Sequence, residues 1–171
     1  MQGRVLPRPV AANKHSGKAT DQQFTVKRFN LDLANKADIE EQDMSYGFSK
    51  KVSLSYEEAL EKVTSELQKE GFGVLTEIDV KATLKKKLDI DTNKYKILGA
   101  CNPPLAHQAL TAEPEIGLLL PCNVVVYEDD SGKTHVAAID AQAMMSVVGR
   151  DDVQPIAEQV NTKLKRVIDN I

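Results

Sequence analysis

Two cysteines in similar surroundings are the residues of this chain with the clearest chemical potential. Cys101 stands in the phrase CNP and Cys122 in the phrase PCN, so each thiol adjoins an asparagine and has a proline close by. One apolar run leads into Cys101 and another leads out of Cys122. If these runs are neighbouring antiparallel strands, both thiols lie at the same end of a sheet. They could then bind a common ligand, or form a reversible disulfide, which requires Cα atoms within roughly 7 Å.

Cys101 is the better candidate for a reactive or ligating thiol, with Cys122 as its partner. Asn102 is a good helix N-cap and Pro103 suits the first helical position, so a helix is predicted to begin there. Unpaired amide groups and the positive end of the helix dipole would lower the pKa of the Cys101 thiol and favour the thiolate, which attacks electrophiles and binds metals. The alternative is that both cysteines are small buried core residues, as free cysteines often are.

A metal, a haem group or another small-molecule ligand would need more than the two thiols. Two cysteines alone do not complete a tetrahedral zinc site. His107, in the same predicted helix, is the natural third metal ligand beside Cys101 and Cys122, and Asn102 and His107 would shape the site. The alternative for His107 is an exposed or partly buried histidine without a ligand. The chain has no Cys-x-x-Cys pair, so thioredoxin-like chemistry is not indicated.

A second candidate pair is Glu77 and Asp79, which stand two apart on a predicted strand and so project to one face. They could act as acid and base or bind a cation, but Asp79 is also a ready helix cap. The run Lys85–Lys87 in the following helix suggests either an anionic partner or a solvated helix face, and without a neighbouring aromatic or arginine the solvated face is the commoner case. No glycine-rich phosphate loop, Ser–His–Asp signature or HExxH motif is present. The sequence therefore leaves open whether the protein is an enzyme.

The composition is typical of a soluble globular protein in a reducing cytosol. The 171 residues suffice for one domain with a tail, and 42% are apolar and 27% charged. A net charge of −3 and a pI of about 5.7 provide no positive field for nucleic acid. No apolar run approaches the roughly 20 residues that span a bilayer, and the basic start of the chain lacks the apolar centre of a secretory signal. We therefore predict a cytoplasmic protein without nucleic-acid or membrane partners.

The chain divides into an arm and a domain. Residues 1–43 are predicted to be a flexible arm or leader, because residues 1–21 are rich in Pro, Gly, Ser, Lys and Asn and follow no period. Alternating apolar residues between Phe24 and Leu33 predict a short strand or a docking peptide within this arm. Residues 44–171 are predicted to form a single α+β domain.

The first elements of that domain have the clearest local signals. Tyr46–Leu54 alternates as a half-buried strand, and Ser55 with Glu58 forms a capping box for the amphipathic helix that follows. Gly71 is predicted to end this helix. A strand at Phe72–Val80, a basic helix at Lys81–Leu88, a strand at Tyr95–Ala100 and a short helix at Pro103–Leu110 are predicted next. Two strands joined by a tight turn follow, at Asn123–Glu128 and Thr134–Ile139. A long helix is predicted to run from a cap at Asp151 or Asp152 to Ile171.

This order favours a mainly antiparallel sheet with helices packed on one face. The phrases EGFGVLTEID, KILGACNPPLA and LLPCNVVV resemble the family called domain of unknown function 302, and the resemblance runs from about Ser45 to Ile171. It implies a compact α+β fold with the strand–helix–four strands–helix arrangement of TATA-binding-protein-like domains, commonly seen as a homodimer. Residues 1–43 lie outside the family pattern.

The residues support two hypotheses of different classes. In the first, the domain binds a ligand, a metal or a redox partner through the corner that carries Cys101 and Cys122. In the second, it is a non-enzymatic homodimeric module in which both cysteines are core residues and an exposed sheet face or helix is the interface. The position of the two thiols, and the space beside them, separates these hypotheses.

Overall fold

The computed structural model of the chain describes residues 46–171. The predicted arm over residues 1–43, with its alternating stretch Phe24–Leu33, lies outside the described residues. Ten helices and strands follow one another along the described part: β1 (Gly47–Val52), α1 (Tyr56–Lys69), β2 (Gly73–Asp79), α2 (Val80–Leu88), β3 (Tyr95–Cys101), α3 (Pro103–Ala112), β4 (Cys122–Glu128), β5 (Thr134–Ile139), α4 (Ala141–Met145) and α5 (Gln154–Asp169).

The five strands form one antiparallel sheet in the order β1-β5-β4-β3-β2, so β1 and β2 are its two edges. The helices α1 and α5 pack on the strands, and α3 and α4 pack in turn on α5. The prediction of an antiparallel α+β fold is confirmed. The order strand, helix, four strands, helix is also present, with α2, α3 and α4 as shorter insertions.

Alternation along the strands decides which side chains enter the core. In β3, β4 and β5 the even-numbered residues lie beneath the helices and the odd-numbered residues lie on the opposite face. Burial of an aliphatic side chain of this size stabilises a fold by about 1.5–3 kcal/mol, so this layer is a main source of stability. Six side chains of the layer are at most 2% exposed: Leu98, Ala100, Val124, Val126, Val136 and Ala138.

The capping box predicted for α1 is present. The Glu58 amide donates to Ser55 Oγ at 3.3 Å, and the Ser55 amide donates to Glu58 Oε2 at 2.9 Å. The helix ends as predicted, because Gly71 takes a left-handed conformation with φ of 82°. A side chain at this position would be strained, and its Cβ would also come within 3.1 Å of Asn102 Nδ2.

The first strand of the domain is joined to the end of the last helix. Lys50 Nζ donates to the Asp169 carbonyl at 2.9 Å and lies 3.5 Å from the Ile168 carbonyl. The Ile168 carbonyl also accepts from the Ile171 amide at 3.3 Å, so Lys50 chiefly satisfies the Asp169 carbonyl and complements the negative end of the helix dipole. This contact explains why Lys50 occurs on the otherwise apolar face of β1.

The start of α5 differs from its prediction. Neither Asp151 nor Asp152 caps the helix, because residues 151–153 form a separate 3₁₀ turn and α5 begins at Gln154. The Asp152 carboxylate is bound instead by the Arg150 guanidinium at 2.9 and 2.6 Å. A local charge-assisted bond has therefore replaced the predicted cap.

Candidate functional site

The two cysteines lie on neighbouring strands at the same end of the sheet. Cys101 is the last residue of β3 and Cys122 the first residue of β4. Ala100 is directly opposite Cys122 in the antiparallel register, so the two cysteines are offset by one residue. Cys101 is half-buried and Cys122 is buried, and both thiols are free.

Both cysteines border one small cavity between the end of the sheet and the helices. Its volume is about 20 Å³, which is room for about one water molecule. A haem group or a typical small-molecule ligand needs several hundred Å³, so neither fits this corner as it stands. The wall is apolar except for the thiols and one asparagine: Phe72, Ala100, Cys101, Asn102, Leu105, Ala106, Ala109, Leu120, Cys122, Met145, Ile156 and Val160.

The prediction of a low pKa for Cys101 is wrong. Burial raises the pKa of the Cys101 thiol, and burial together with the nearby Cys101 raises the pKa of Cys122 to about 11. The reason is that the amide groups at the start of α3 already donate hydrogen bonds to Asn102. The Leu105 amide donates to Asn102 Oδ1 at 3.3 Å and the Ala106 amide donates to the Asn102 carbonyl at 2.9 Å. These amides are therefore taken by Asn102, and both thiols are protonated at neutral pH.

Asn102 has a structural role in this corner. It caps α3 through Oδ1, as predicted, and its Nδ2 donates to the Glu70 carbonyl at 3.3 Å. Lys163 Nζ donates to the same carbonyl at 3.0 Å, and Arg166 holds the Glu70 carboxylate with two bonds. Asn102 thus joins the end of α1 to the start of α3, beside a cluster that also binds α5.

The predicted metal ligands do not come together. His107 lies on α3 and is exposed, whereas Cys122 is buried. Nowhere in residues 46–171 do three or more His, Cys, Asp or Glu side chains converge as a metal would require. His107 is exposed, whereas Cys101 and Cys122 border the cavity, so the set Cys101, Cys122 and His107 stays a prediction.

The carboxylates of β2 also have structural partners. Asp79 caps α2, where its Oδ1 accepts from the Ala82 amide at 2.8 Å. Glu77 pairs with Lys96 of the neighbouring strand at 3.2 Å. The two positions share a face of the strand, as predicted, but these contacts give no support to an acid–base pair.

The open face of the sheet is formed by the odd-numbered residues of β3, β4 and β5; sequence reasoning allowed for an exposed sheet face but did not identify its stacked rings. At one end, Tyr95 and Tyr127 stack with ring centroids 5.4 Å apart, and Tyr127 and His135 stack at 5.0 Å. The three rings come from directly paired positions on three strands. The sequence signal for this face was the pattern of apolar and aromatic residues at odd-numbered positions, Tyr-x-Ile in β3 and Val-x-Tyr in β4.

Beyond the stacked rings, the open face is apolar. Ile97 pairs with Val125 across β3 and β4, and Val125 pairs with Ala137 across β4 and β5. Ile78 extends the row to β2, where it is opposite Ile97 and 48% exposed. The helices α1 and α5 are on the other side, so this row has no helix of that layer above it. Ile97 and Val125 are half-buried and Ala137 is buried, so the exposed apolar area of the row lies mainly at Ile78, and an apolar row on an open sheet face is a candidate interaction surface.

The charged groups of the open face are few. Lys51 lies opposite His135 on the edge strand, and His135 Nε2 lies 2.9 Å from Asp129 Oδ2. Hydrogen bonds from Ser131, Lys133 and His135 hold the pKa of Asp129 well below its usual range. Burial raises the pKa of Tyr127 and Tyr95, so both phenols are neutral at physiological pH.

The fold and these surfaces define a two-layer α+β domain with helices on one side and an open antiparallel sheet on the other. The chain belongs to the family described as Domain of unknown function DUF302, whose model matches residues 48–171. This confirms the resemblance seen in the sequence.

Comparison with known proteins finds solved structures that match the chain. The chain is similar to the crystal structure of the uncharacterized conserved protein DUF302 from Bacillus stearothermophilus, with 28% identity and a TM-score of 0.68. The similarity covers 72% of this chain and 96% of that chain. No curated protein matches the chain. None of the helices within residues 46–171 has the length and apolar character needed to cross a membrane.

Proposed function

We propose that this protein is a non-enzymatic module that forms a homodimer through the open face of its sheet. The observation that carries the proposal is the apolar row on the side of the sheet away from α1 and α5, in which Ile78 is 48% exposed and Ile97 and Val125 are half-buried, flanked by the stacked tyrosines. Removing such a row from water is favourable, and tyrosine is enriched at protein interfaces because it combines apolar area with a polar tip.

The electrostatics of this face favour contact with a second copy. Lys51 lies on the edge strand, at the rim, and His135 already has Asp129 as its partner. The centre of the face therefore has no unpaired charge whose burial would oppose association. In a two-fold arrangement each copy offers the same surface, so the apolar rows of two copies can cover each other.

The size of the face agrees with a dimer of modest affinity. Five strands about 4.8 Å apart and about seven residues long, at about 3.3 Å each, cover roughly 500 Å². Two copies would bury about 1,000 Å², below the usual range for stable interfaces and typical of a weak one. Tyr46, which is 60% exposed and lies just before β1, enlarges the rim.

The thiols fit this proposal as core residues. Cys122 is 8% exposed and lies among apolar side chains, where a neutral thiol packs as a small hydrophobic group. We place the dimer in a reducing cytosol, where two free thiols persist without a disulfide.

The test is the mass of the protein in solution. In sedimentation equilibrium the mass of the full chain should rise towards twice the chain mass as the concentration increases to several hundred micromolar. Val125→Glu brings two like charges into the centre of the interface and should weaken association by roughly 100-fold or more. Ile78→Glu, at a more exposed position of the same row, serves as a second variant if the first fails to fold.

Val147→Glu is the matched control, because Val147 is 75% exposed and lies outside the sheet. It should leave the mass unchanged, and circular dichroism should show all three variants folded. A wild-type protein that stays monomeric at several hundred micromolar would falsify the homodimer.

A second candidate function is a reversible disulfide between Cys101 and Cys122. The observation in its favour is that both cysteines border one cavity and lie on directly bonded strands. The two thiols would give two electrons and two protons to a disulfide oxidant such as oxidised glutathione, which would leave as two thiols. This candidate ranks second, because burial keeps both thiols protonated and slow to react.

Thiol titration tests this second candidate. Two thiols that are inert in the folded protein, with and without oxidised glutathione, would exclude it. The same titration with added zinc or haem tests whether the cysteine corner binds a metal or haem. An unchanged number of reactive thiols, with no uptake of zinc or haem, would exclude that hypothesis.

A further inference from the structure

An open cavity lies where the connection between β1 and α1 meets the turn between β4 and β5. Its volume is about 650 Å³, which is within the range of small-molecule sites. Its wall has two aliphatic side chains, Val52 and Leu54, and no aromatic ring among the described residues; apart from Gly132, the other lining residues are polar or charged. The cavity therefore suits a polar ligand. It is distant from the cysteine corner, which lies at the other end of β4.

Thr134 places a buried hydroxyl group in this cavity. The residue is 4% exposed, and no hydrogen bond joins its hydroxyl to another of residues 46–171, whereas the hydroxyls of Thr64, Thr111 and Thr162 each donate to a main-chain carbonyl. Within the same residues Thr92 is the one with a fully enclosed, unpartnered side-chain oxygen, so the Thr134 hydroxyl is not sealed in and opens into the cavity. A buried hydroxyl without a partner costs free energy, so this group is available to a ligand.

The charged groups of the wall favour an anionic ligand. Lys51 and Lys133 form no ion pair with a carboxylate of residues 46–171. Glu128, the carboxylate of the wall, lies 3.6 Å from Lys94 Nζ, which compensates part of its charge. Two uncompensated lysines against one compensated carboxylate give the cavity a positive balance.

Two further carboxylates lie in the neighbouring turn but not in the wall. Asp129 accepts from the Ser131 hydroxyl and from the Lys133 amide, and Asp130 accepts from Asn93 Nδ2 at 2.9 Å. These donors compensate part of both charges, so the turn opposes an anion in the cavity less than free carboxylates would.

The connection before α1 supplies additional donors. The Ser55 hydroxyl and amide are already used, because both donate to the Glu58 carboxylate in the capping box. Ser53 and Leu54 also line the cavity, and no acceptor within residues 46–171 takes their amides. Main-chain amides of this kind bind anions, so they add to the donor at Thr134.

We propose that this cavity binds a small hydroxylated organic phosphate, independently of the sheet-face dimer. Lys51 and Lys133 contact the phosphate group, whose charge at neutral pH is close to that of two lysines. Thr134 donates to a phosphate oxygen, and Glu128 accepts a hydrogen bond from a hydroxyl group of the ligand. The volume of the cavity leaves room for the carbon body beside the anion.

The proposal can be tested with glycerol 3-phosphate as the probe and with glycerol and inorganic phosphate as comparison compounds. Titration of glycerol 3-phosphate into ¹⁵N-labelled full-length protein should shift the amide signals of Ser53, Leu54 and Thr134. Glycerol should leave these signals in place, because it has no charge for the lysines. Inorganic phosphate should bind several-fold more weakly, because it lacks the hydroxylated carbon body.

Thr134→Val separates a ligand contact from a structural role. It keeps the shape of the side chain and removes the hydroxyl, so binding should weaken several-fold while the melting temperature does not fall. The double variant Lys51→Ala and Lys133→Ala should weaken binding by about tenfold or more. Lys87→Ala is the matched control, because Lys87 is also exposed and without an ion pair among the described residues, and it should change the affinity less than twofold.

Four results would overturn the proposal. The first is that glycerol 3-phosphate in large excess shifts none of the cavity signals, or that glycerol shifts them equally. The second is that Lys87→Ala weakens binding as much as the double variant, which would show a non-specific effect of charge. The third is that Thr134→Val lowers the melting temperature, which would show that the hydroxyl serves the fold. The fourth is that inorganic phosphate binds as tightly as glycerol 3-phosphate, which would exclude recognition of an organic body.

Discussion

The imidazole of His135 stacks on the ring of Tyr127, with centroids 5.0 Å apart and planes 11° from parallel, while its Nε2 lies 2.9 Å from Asp129 Oδ2. An ionised carboxylate only accepts hydrogen bonds, so this contact fixes the proton of a neutral His135 on Nε2. The pair therefore couples the β4–β5 turn to the stacked end of the open face.

Acid should weaken this turn through Asp129. The pKa of Asp129 is lowered in the fold, first by the Ser131 hydroxyl and then by the Lys133 amide and His135. The contribution of Asp129 to stability is therefore present above the unfolded pKa of about 4 and is lost as the pH falls below that value. Asp129→Asn should lower the melting temperature at pH 7, and the difference from wild type should shrink towards pH 3. Asp169→Asn, at the exposed end of α5, is the control and should have little effect at either pH. An undiminished difference at pH 3 would contradict the prediction.

Alkali should weaken the fold through Cys122. The pKa of this thiol is raised by burial to about 11, so its contribution is present below the unfolded pKa of about 8.5 and is lost as the pH rises through 11. Denaturant unfolding should give a free energy of unfolding that falls between pH 8.5 and pH 11. Cys122→Ala should be less stable at pH 7 and should have a flatter dependence on pH in this range. Equal slopes for both proteins would show that other groups cause the decline.

Asn102 should be more important for stability than for any reaction. Asn102→Ala removes the cap of α3 and leaves the Glu70 carbonyl with one donor fewer, so the free energy of unfolding should fall by about 1–3 kcal/mol. Asn102→Ser keeps a short side-chain oxygen as the cap acceptor and loses the Nδ2 donor, so it should fall between wild type and Asn102→Ala. Urea unfolding measures all three, and an Ala variant as stable as wild type would remove the role assigned to this residue.

Gly99 should tolerate no side chain. A Cβ at this position would overlap the Thr76 hydroxyl and come within 2.7 Å of Pro121 Cγ. Gly99→Ala should therefore destabilise the domain by about 1–3 kcal/mol. Thr76→Ala in the same chain removes one of the two overlaps and should restore part of the loss. If thermal unfolding shows no rescue, the contact with Pro121 is the one that matters.

Local signals in the sequence predicted most of the fold. Ser55 with Glu58, Gly71, and Asn102 before Pro103 each define a helix end through contacts within a few residues, and each prediction is confirmed. The start of α5 was mispredicted, because two adjacent aspartates offered equal caps and the choice depended on Arg150, which binds Asp152.

The site was less predictable, because its properties depend on contacts between distant segments. The pKa of Cys101 is set by burial and by the fact that Asn102 takes the amides of α3, which the phrase CNP does not reveal. The exposure of the open face could not be predicted from the sequence for the same reason. Alternation shows that Ile97 and Val125 share a face, but only the packing of α1 and α5 decides that this face is the uncovered one.

The bond between Lys50 and the end of α5 has a consequence for protein engineering. It holds the first strand beside the last residues of the domain, with Lys50 Nζ 2.9 Å from the Asp169 carbonyl. A circular permutant that joins Ile171 to Tyr46 would therefore need a linker that spans the strand residues between Tyr46 and Lys50. New ends opened at Ser131 and Gly132, in the exposed β4–β5 turn, would leave every strand and helix of the sheet intact.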